Sequence, residues 1–141
     1  MVVSSEQRAD PQMTKTVADE AVSFAAFEEI GSTLQRYLDG ATGGDAALVR
    51  TAFFPEARIQ GAYSGQPVDW SLEEFCGVIA TGGPAPELVA RIVEIDVAGS
   101  AGTARLEIIN WRGTRYTDFF LLRNNGGWHI SGKVFFAHSR A

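Results

Sequence analysis

The sequence predicts an α+β fold, with N-terminal helices packed on a curled, mostly antiparallel sheet of four to six strands enclosing a pocket. Three observations predict it. Apolar residues recur at helical spacing through the first third, and the last third alternates in the manner of strands. Between the last two of those strands, Asn124-Asn125-Gly126-Gly127 supplies a hairpin turn, because Asn and Gly accept positive φ. A chain of 141 residues suits one domain and can bury a core without disulfides or metal.

In order along the chain, residues 1–16 are polar and aperiodic and read as a disordered or loosely ordered tail, leaving 17–141 as a single domain. From about Val17, Phe24, Phe27, Ile30, Leu34, Tyr37, Leu38 and Ala41 form one apolar face of a long helix that Gly40, Gly43 and Gly44 end. Asp45 caps a second, short helix with Ala46, Leu48, Val49, Ala52 and Phe53 on its buried side, stopped by Pro55. Residues 57–61 read as a short strand and 62–67 as a turn or small hairpin. Ser71-Leu72-Glu73-Glu74 is a capping box that opens a third helix to about Ala80. Four strands follow a Gly/Pro loop, at about 88–97, 103–111, 114–123 and 128–137.

Bulk properties exclude several function classes. A net charge of −5 with scattered basic residues argues against nucleic acid, which needs clustered Lys and Arg. The single cysteine, Cys76, allows no internal disulfide and reads as a small apolar residue on a helix. No apolar stretch of about 20 residues is present, so no membrane span is expected. No secretory pattern opens the chain, which makes a cytoplasmic location the default expectation. His129 and His138 are the two histidines and lack metal-ligand spacing, so no metal is expected. No local motif builds a nucleophilic serine or a phosphate-cradling loop, and no cofactor is expected.

Centring the last hairpin on Asn125-Gly126 sets a register. It places Arg123, Leu121, Phe119 and Thr117 opposite Trp128, Ile130, Gly132 and Val134. On the other face it places Leu122, Phe120, Asp118 and Tyr116 opposite His129, Ser131, Lys133 and Phe135. A slip of one residue would scramble both sets. The first face is apolar and, with Trp111 and Ile109 beside it, too large to leave in water. The second mixes aromatic walls with polar groups.

The order of Tyr37-Leu38-Asp39-Gly40, Gly44-Asp45, Phe54-Pro55-Glu56-Ala57, Asp118 and Gly126-Gly127-Trp128-His129-Ile130 resembles the NTF2-like superfamily, which includes SnoaL-like and ketosteroid-isomerase-like proteins. The ending, with Lys133-Val134-Phe135, is most similar to the subgroup named for lumazine binding. The resemblance covers about Ala21 to His138. It implies a cone-shaped barrel with a deep apolar pocket, and a homodimer through the outer sheet face (Trp111, Phe119, Leu121, Trp128, Ile130, Phe136). Because the superfamily holds isomerases, dehydratases, cyclases, transport factors and many proteins of unknown function, fold does not settle function.

Aligned on Gly44-Asp45, the resemblance puts Tyr37 and Asp118 at the two oxyanion positions of the ketosteroid isomerases, a system that is itself a standard worked case of carboxyl pKa tuning. The position of that family's carboxylate base falls on Gly61, which cannot take a proton. Asp118 therefore has two readings. Buried in an apolar pocket it stays neutral and donates to a ligand oxygen. Facing Lys133, it forms a cross-strand pair that fixes register. Tyr37, Asp118 and His138 are the candidate catalytic residues, with His138 as a possible acid or base at the pocket mouth. Tyr37, Phe54, Arg58, Tyr63, Trp70, Asn110, Tyr116, Asp118, Lys133 and Phe135 are the candidate ligand-binding residues. Arg58 could instead pair with Glu56.

Three functions follow, in this order. The first is a small-molecule binder for an apolar or heterocyclic ligand, favoured by the missing base at Gly61. The second is a cofactor-independent isomerase, dehydratase or cyclase using Tyr37 and Asp118. The third is a protein interaction module, which a filled interior would favour.

Overall fold

The structure is a computed structural model that describes residues 17–138, with side chains from 23 onward. The tail expected over 1–16 lies outside the described residues. Helix α1 (Val17–Gly43) is followed by α2 (Ala46–Arg50), the hairpin β1 (Phe53–Tyr63) and β2 (Gln66–Ser71), and α3 (Leu72–Gly82). Then come β3 (Val89–Ala98), β4 (Ala101–Trp111), β5 (Thr114–Asn124) and β6 (Trp128–Ala137). The six strands form one curled sheet in the order β2-β1-β6-β5-β4-β3. Neighbours are antiparallel except β1 and β6, which run parallel.

Local chemistry accounts for the helix boundaries. The Asp45 side chain accepts from the Leu48 amide at the start of α2. Ser71 and Glu74 complete both halves of the capping box at α3. At Gly40 a Cβ would fall 2.6 Å from the Val49 side chain, so glycine is what lets α2 fold back on α1. The apolar stripe of α1 is buried at Ile30, Leu34, Tyr37, Leu38 and Ala41 against the concave sheet face. Thr33 ties the helix to β6 by donating to the Trp128 carbonyl at 2.8 Å. Phe24 and Phe27, expected on that stripe, are exposed. Cys76 is buried on α3, as a small apolar residue would be.

Two expectations about the sheet are corrected. Phe53 and Pro55 belong to β1 rather than to the end of α2. The β1–β6 pairing is irregular between Phe53 and Arg58, where proline has no amide to give to a ladder.

The β5–β6 register also differs. Asn124 pairs with Trp128 and Leu122 with Ile130; beyond a bulge at Leu121/Leu122, Phe120 pairs with Lys133 and Asp118 with Phe135. Next to the turn the slip is one residue, which carries Trp128 and Ile130 into the core instead of the outer face. Past the bulge the slip is two, which restores the faces of Asp118, Lys133 and Phe135. A second bulge in β4, at Asn110 (φ 57°), likewise turns Trp111 inward. The residues left exposed on the outer face are Phe119, Leu121, Val134, Phe136 and Ile109.

Candidate functional site

The concave face does not pack solid. A cavity of about 470 Å³ opens between the sheet and α3. Six aromatic rings wall it: Tyr63, Trp70, Phe75, Trp111, Tyr116 and Phe135. Its remaining lining is Ala41, Val78, Ile79, Gly82, Gly83, Arg112, Thr114 and Lys133. The walls support one another. Trp70 stacks on Phe75 and on Phe135, Tyr63 stacks on Tyr116, and Trp111 meets Tyr116 edge-on.

Lys133 is the charged group deep in this space, only 3% exposed. Its Nζ lies 3.1 Å from Asp118 Oδ2 and donates to the Tyr37 hydroxyl at 2.5 Å. Tyr37 in turn donates to Asp118 Oδ2 at 3.3 Å, closing a triangle of three buried polar groups. Four rings surround the ammonium, with centroids 4.6 Å (Phe75), 4.8 Å (Tyr37), 5.3 Å (Phe135) and 5.6 Å (Trp111) away. Among the described residues, Asp118 Oδ1 has no hydrogen-bond partner although it is buried. A carboxylate with a bare buried oxygen is poorly stabilised as an anion.

Burial sets the protonation of the triangle. Desolvation pushes the Asp118 carboxyl up, against the opposing pull of Lys133. Desolvation draws Lys133 down, against the opposing effect of Asp118. Tyr37 is raised well above the usual phenol range, first by burial and then by the Asp118 charge, and stays a neutral donor. Burial thus draws both Asp118 and Lys133 toward their uncharged forms, while each partner's charge pulls the other way.

The expected site residues divide into two groups. Tyr63, Trp70, Tyr116, Lys133 and Phe135 line the cavity, while Tyr37 and Asp118 lie immediately behind Lys133 and do not line it. Four others are elsewhere. Phe54 packs against His129 and beneath the Arg123 guanidinium, because the irregular start of β1 sends Phe53 inward and its neighbour outward. Arg58 pairs with Asp69 across the β1–β2 hairpin at 2.7 Å, not with Glu56 and not with the cavity. Asn110 is exposed at the apex of the β4 bulge. His138 bonds the Thr117 hydroxyl through Nε2 at 2.9 Å and stands edge-on to Phe136, away from the cavity lining.

Sequence reasoning missed the contribution of α3, whose Phe75, Val78, Ile79 and Gly82 all line the cavity. Their i, i+3, i+4, i+7 spacing was the available signal. It also missed Arg112, which stands at the cavity edge against the C-terminal end of α3: a Cβ on Gly82 would lie 3.4 Å from its guanidinium. A cation there suits the helix dipole.

At the position expected for an isomerase base the structure is closed. A Cβ on Gly61 would fall 2.2 Å from the Phe135 carbonyl oxygen and 2.7 Å from the Phe135 ring. No carboxylate fits there while β1 and β6 stay paired. Among the described residues, no cluster of three or more His, Cys, Asp or Glu could hold a metal, and no helix is long and apolar enough to cross a membrane.

Residues 25–136 match the model of the family described as "Putative lumazine-binding". The chain belongs to this family. A search of the curated proteins found no match. Among solved structures, an NTF2-like protein of unknown function from Methylobacillus flagellatus is similar at 28% identity and a TM-score of 0.77, over 89% of this chain and 97% of that one. A second NTF2-like protein of unknown function, from Shewanella baltica, is 29% identical with a TM-score of 0.76, over 89% and 99%. A ketosteroid isomerase-like protein from Erwinia carotovora atroseptica shares the fold at 16% identity and a TM-score of 0.60, over 79% and 95%.

Proposed function

We propose that this protein binds a flat, largely apolar ring compound that presents a carbonyl or anionic group to Lys133. The carrying observation is the open cavity of about 470 Å³, walled by six aromatic rings with one buried amine at its depth. Such a volume lies within the ordinary range for small-molecule sites, and a few polar groups among apolar walls are what fix a ligand's orientation. The family description points the same way, since a lumazine is a fused heteroaromatic with ring carbonyls. Arg112 supplies a second cation toward the mouth. An interior this open counts against a pure interaction module.

Native mass spectrometry of the protein purified from its own host tests this reading. The expected result is a non-covalently bound ring compound that leaves on denaturation. A bare protein mass, together with no binding across a panel of flat heteroaromatic ketones and acids, would remove it.

The exposed outer face favours a second copy of the chain as its cover. Phe119, Leu121, Val134 and Phe136 are each half or more exposed and lie side by side on β5 and β6. A homodimer through them would sediment as such at micromolar concentration.

A further inference from the structure

We propose that Lys133 is a carbonyl-capturing amine, condensing with an aldehyde or ketone carbon of the bound ligand to form an imine. The proposal rests on the ligand-binding reading above and names the reactive partner.

The choice of cation is the first observation. The chain has two lysines, Lys15 and Lys133, and ten arginines. Every ion pair at the surface of the described structure uses arginine: Arg50, Arg58, Arg105, Arg115 and Arg123. Among the described residues, the one buried pair uses lysine. If pairing with Asp118 were the whole task, a guanidinium would serve, with more donors and weaker hydration. Only an amine can shed its proton and offer a lone pair to carbon.

The second observation is position. Nζ belongs to a side chain that lines the cavity, desolvated among four rings, the setting in which a lysine becomes nucleophilic. The third is proton handling. Asp118 Oδ2 at 3.1 Å can take the ammonium proton, and Tyr37 bridges the two groups. Burial moves both partners toward the neutral pair that this transfer produces.

The step balances without any further reagent. Lys133 passes one proton to Asp118, and the amine lone pair forms the N–C bond as the carbonyl π pair moves to oxygen. A proton moves from nitrogen to that oxygen, giving a carbinolamine. Asp118 then returns its proton to the hydroxyl, the C–O bond breaks, and water leaves. The product is an iminium paired with the Asp118 carboxylate.

The test uses the full chain, 2-naphthaldehyde and sodium cyanoborohydride, with peptide mass spectrometry at Lys133, Lys15 and the terminal amine. Binding is followed separately, without reductant, through the indole N–H signals of Trp70 and Trp111. The expected result is indole shifts together with reductive labelling of Lys133 that saturates with aldehyde and outpaces Lys15, whose labelling rises linearly. Tyr37→Phe should slow Lys133 labelling by about tenfold or more while the indole shifts persist. Indole shifts with labelling confined to Lys15 and the terminus, or linear at Lys133, would overturn the imine and leave the binding reading intact. No indole shift and no saturable labelling would overturn both.

Discussion

The two faces of the β4–β5–β6 sheet are made by the same strands, and alternate residues of β5 go to opposite fates. Asp118 and Phe120 are almost fully buried on the inner face, while Phe119 and Leu121 between and beside them are 50% and 59% exposed. The inner face holds a buried cation, Lys133, under aromatic rings with a buried acid. The outer face holds its charges in an open network. Glu107 there takes Arg105 at 2.8 Å, Arg115 at 3.1 Å and the Thr117 hydroxyl at 2.9 Å, and Thr117 also meets His138. Equal chemistry thus has unequal consequences. A charge pair at the surface contributes little, whereas a buried pair is costly to break because its survivor is stranded. The inner pair is therefore sensitive to the loss of either partner in a way the outer network is not.

The sharpest way to break this contrast is to remove one inner partner. Lys133→Met leaves Asp118 buried and alone and should cost about 3 kcal/mol or more in urea unfolding at neutral pH. The sign of its pH dependence follows from the raised Asp118 carboxyl. A folded-state value above the unfolded one favours the protonated folded form, so the variant should regain stability in acid and lose it as pH rises. The double variant Asp118→Asn/Lys133→Met should recover most of the loss. If the double variant is no better than Lys133→Met, the pair is not what strands Asp118.

Next in size is Gly61→Ala. The new methyl must displace the Phe135 carbonyl or ring, which should cost about 1–3 kcal/mol by thermal unfolding. A neutral result would show that β1 and β6 can part there, and would reopen the position to a side chain.

The smallest effect belongs to the outer face. Burial works to raise Glu107, but hydrogen bonds from Arg105, Thr117 and Arg115, together with the Arg105 charge, hold its carboxyl below the usual carboxylate value of 4.5. Its contribution is therefore present above about that pH and lost as pH falls through the folded-state value. Glu107→Gln should lower the melting temperature slightly at pH 7 and by progressively less as pH falls below 4.5. A loss as large as that of Lys133→Met would erase the distinction between the faces.

The sequence revealed the architecture because its signals were local. The capping box at Ser71, the stripe of α1 and the alternation of the last four strands all act within a few residues. The site was less legible because single-residue bulges decide it. The bulge at Leu121/Leu122 and the positive φ at Asn110 reversed the faces of Trp128, Ile130 and Trp111, and no periodicity announces them. Asp118 and Lys133 were readable as neighbours only because two successive slips left their shared face unchanged. Tyr37 was readable as a core tyrosine, but its bond to Lys133 spans 96 residues and required the fold. Arg58 was a candidate as a cation and His138 as an acid or base at the pocket mouth, and each found a partner away from the cavity lining instead.

The central claim is that the inner-face cavity receives a flat ring compound. The three tryptophans provide the most direct measurement, since Trp70 and Trp111 line the cavity while Trp128 is buried in the core outside its lining. Titration of the ¹⁵N-labelled protein with lumazine and related heteroaromatic compounds bearing ring carbonyls should move the indole signals of Trp70 and Trp111 in a saturable way and leave Trp128 nearly still. Saturable binding that moves Trp128 and leaves the other two unchanged, or the absence of any saturable shift across the series, would contradict it.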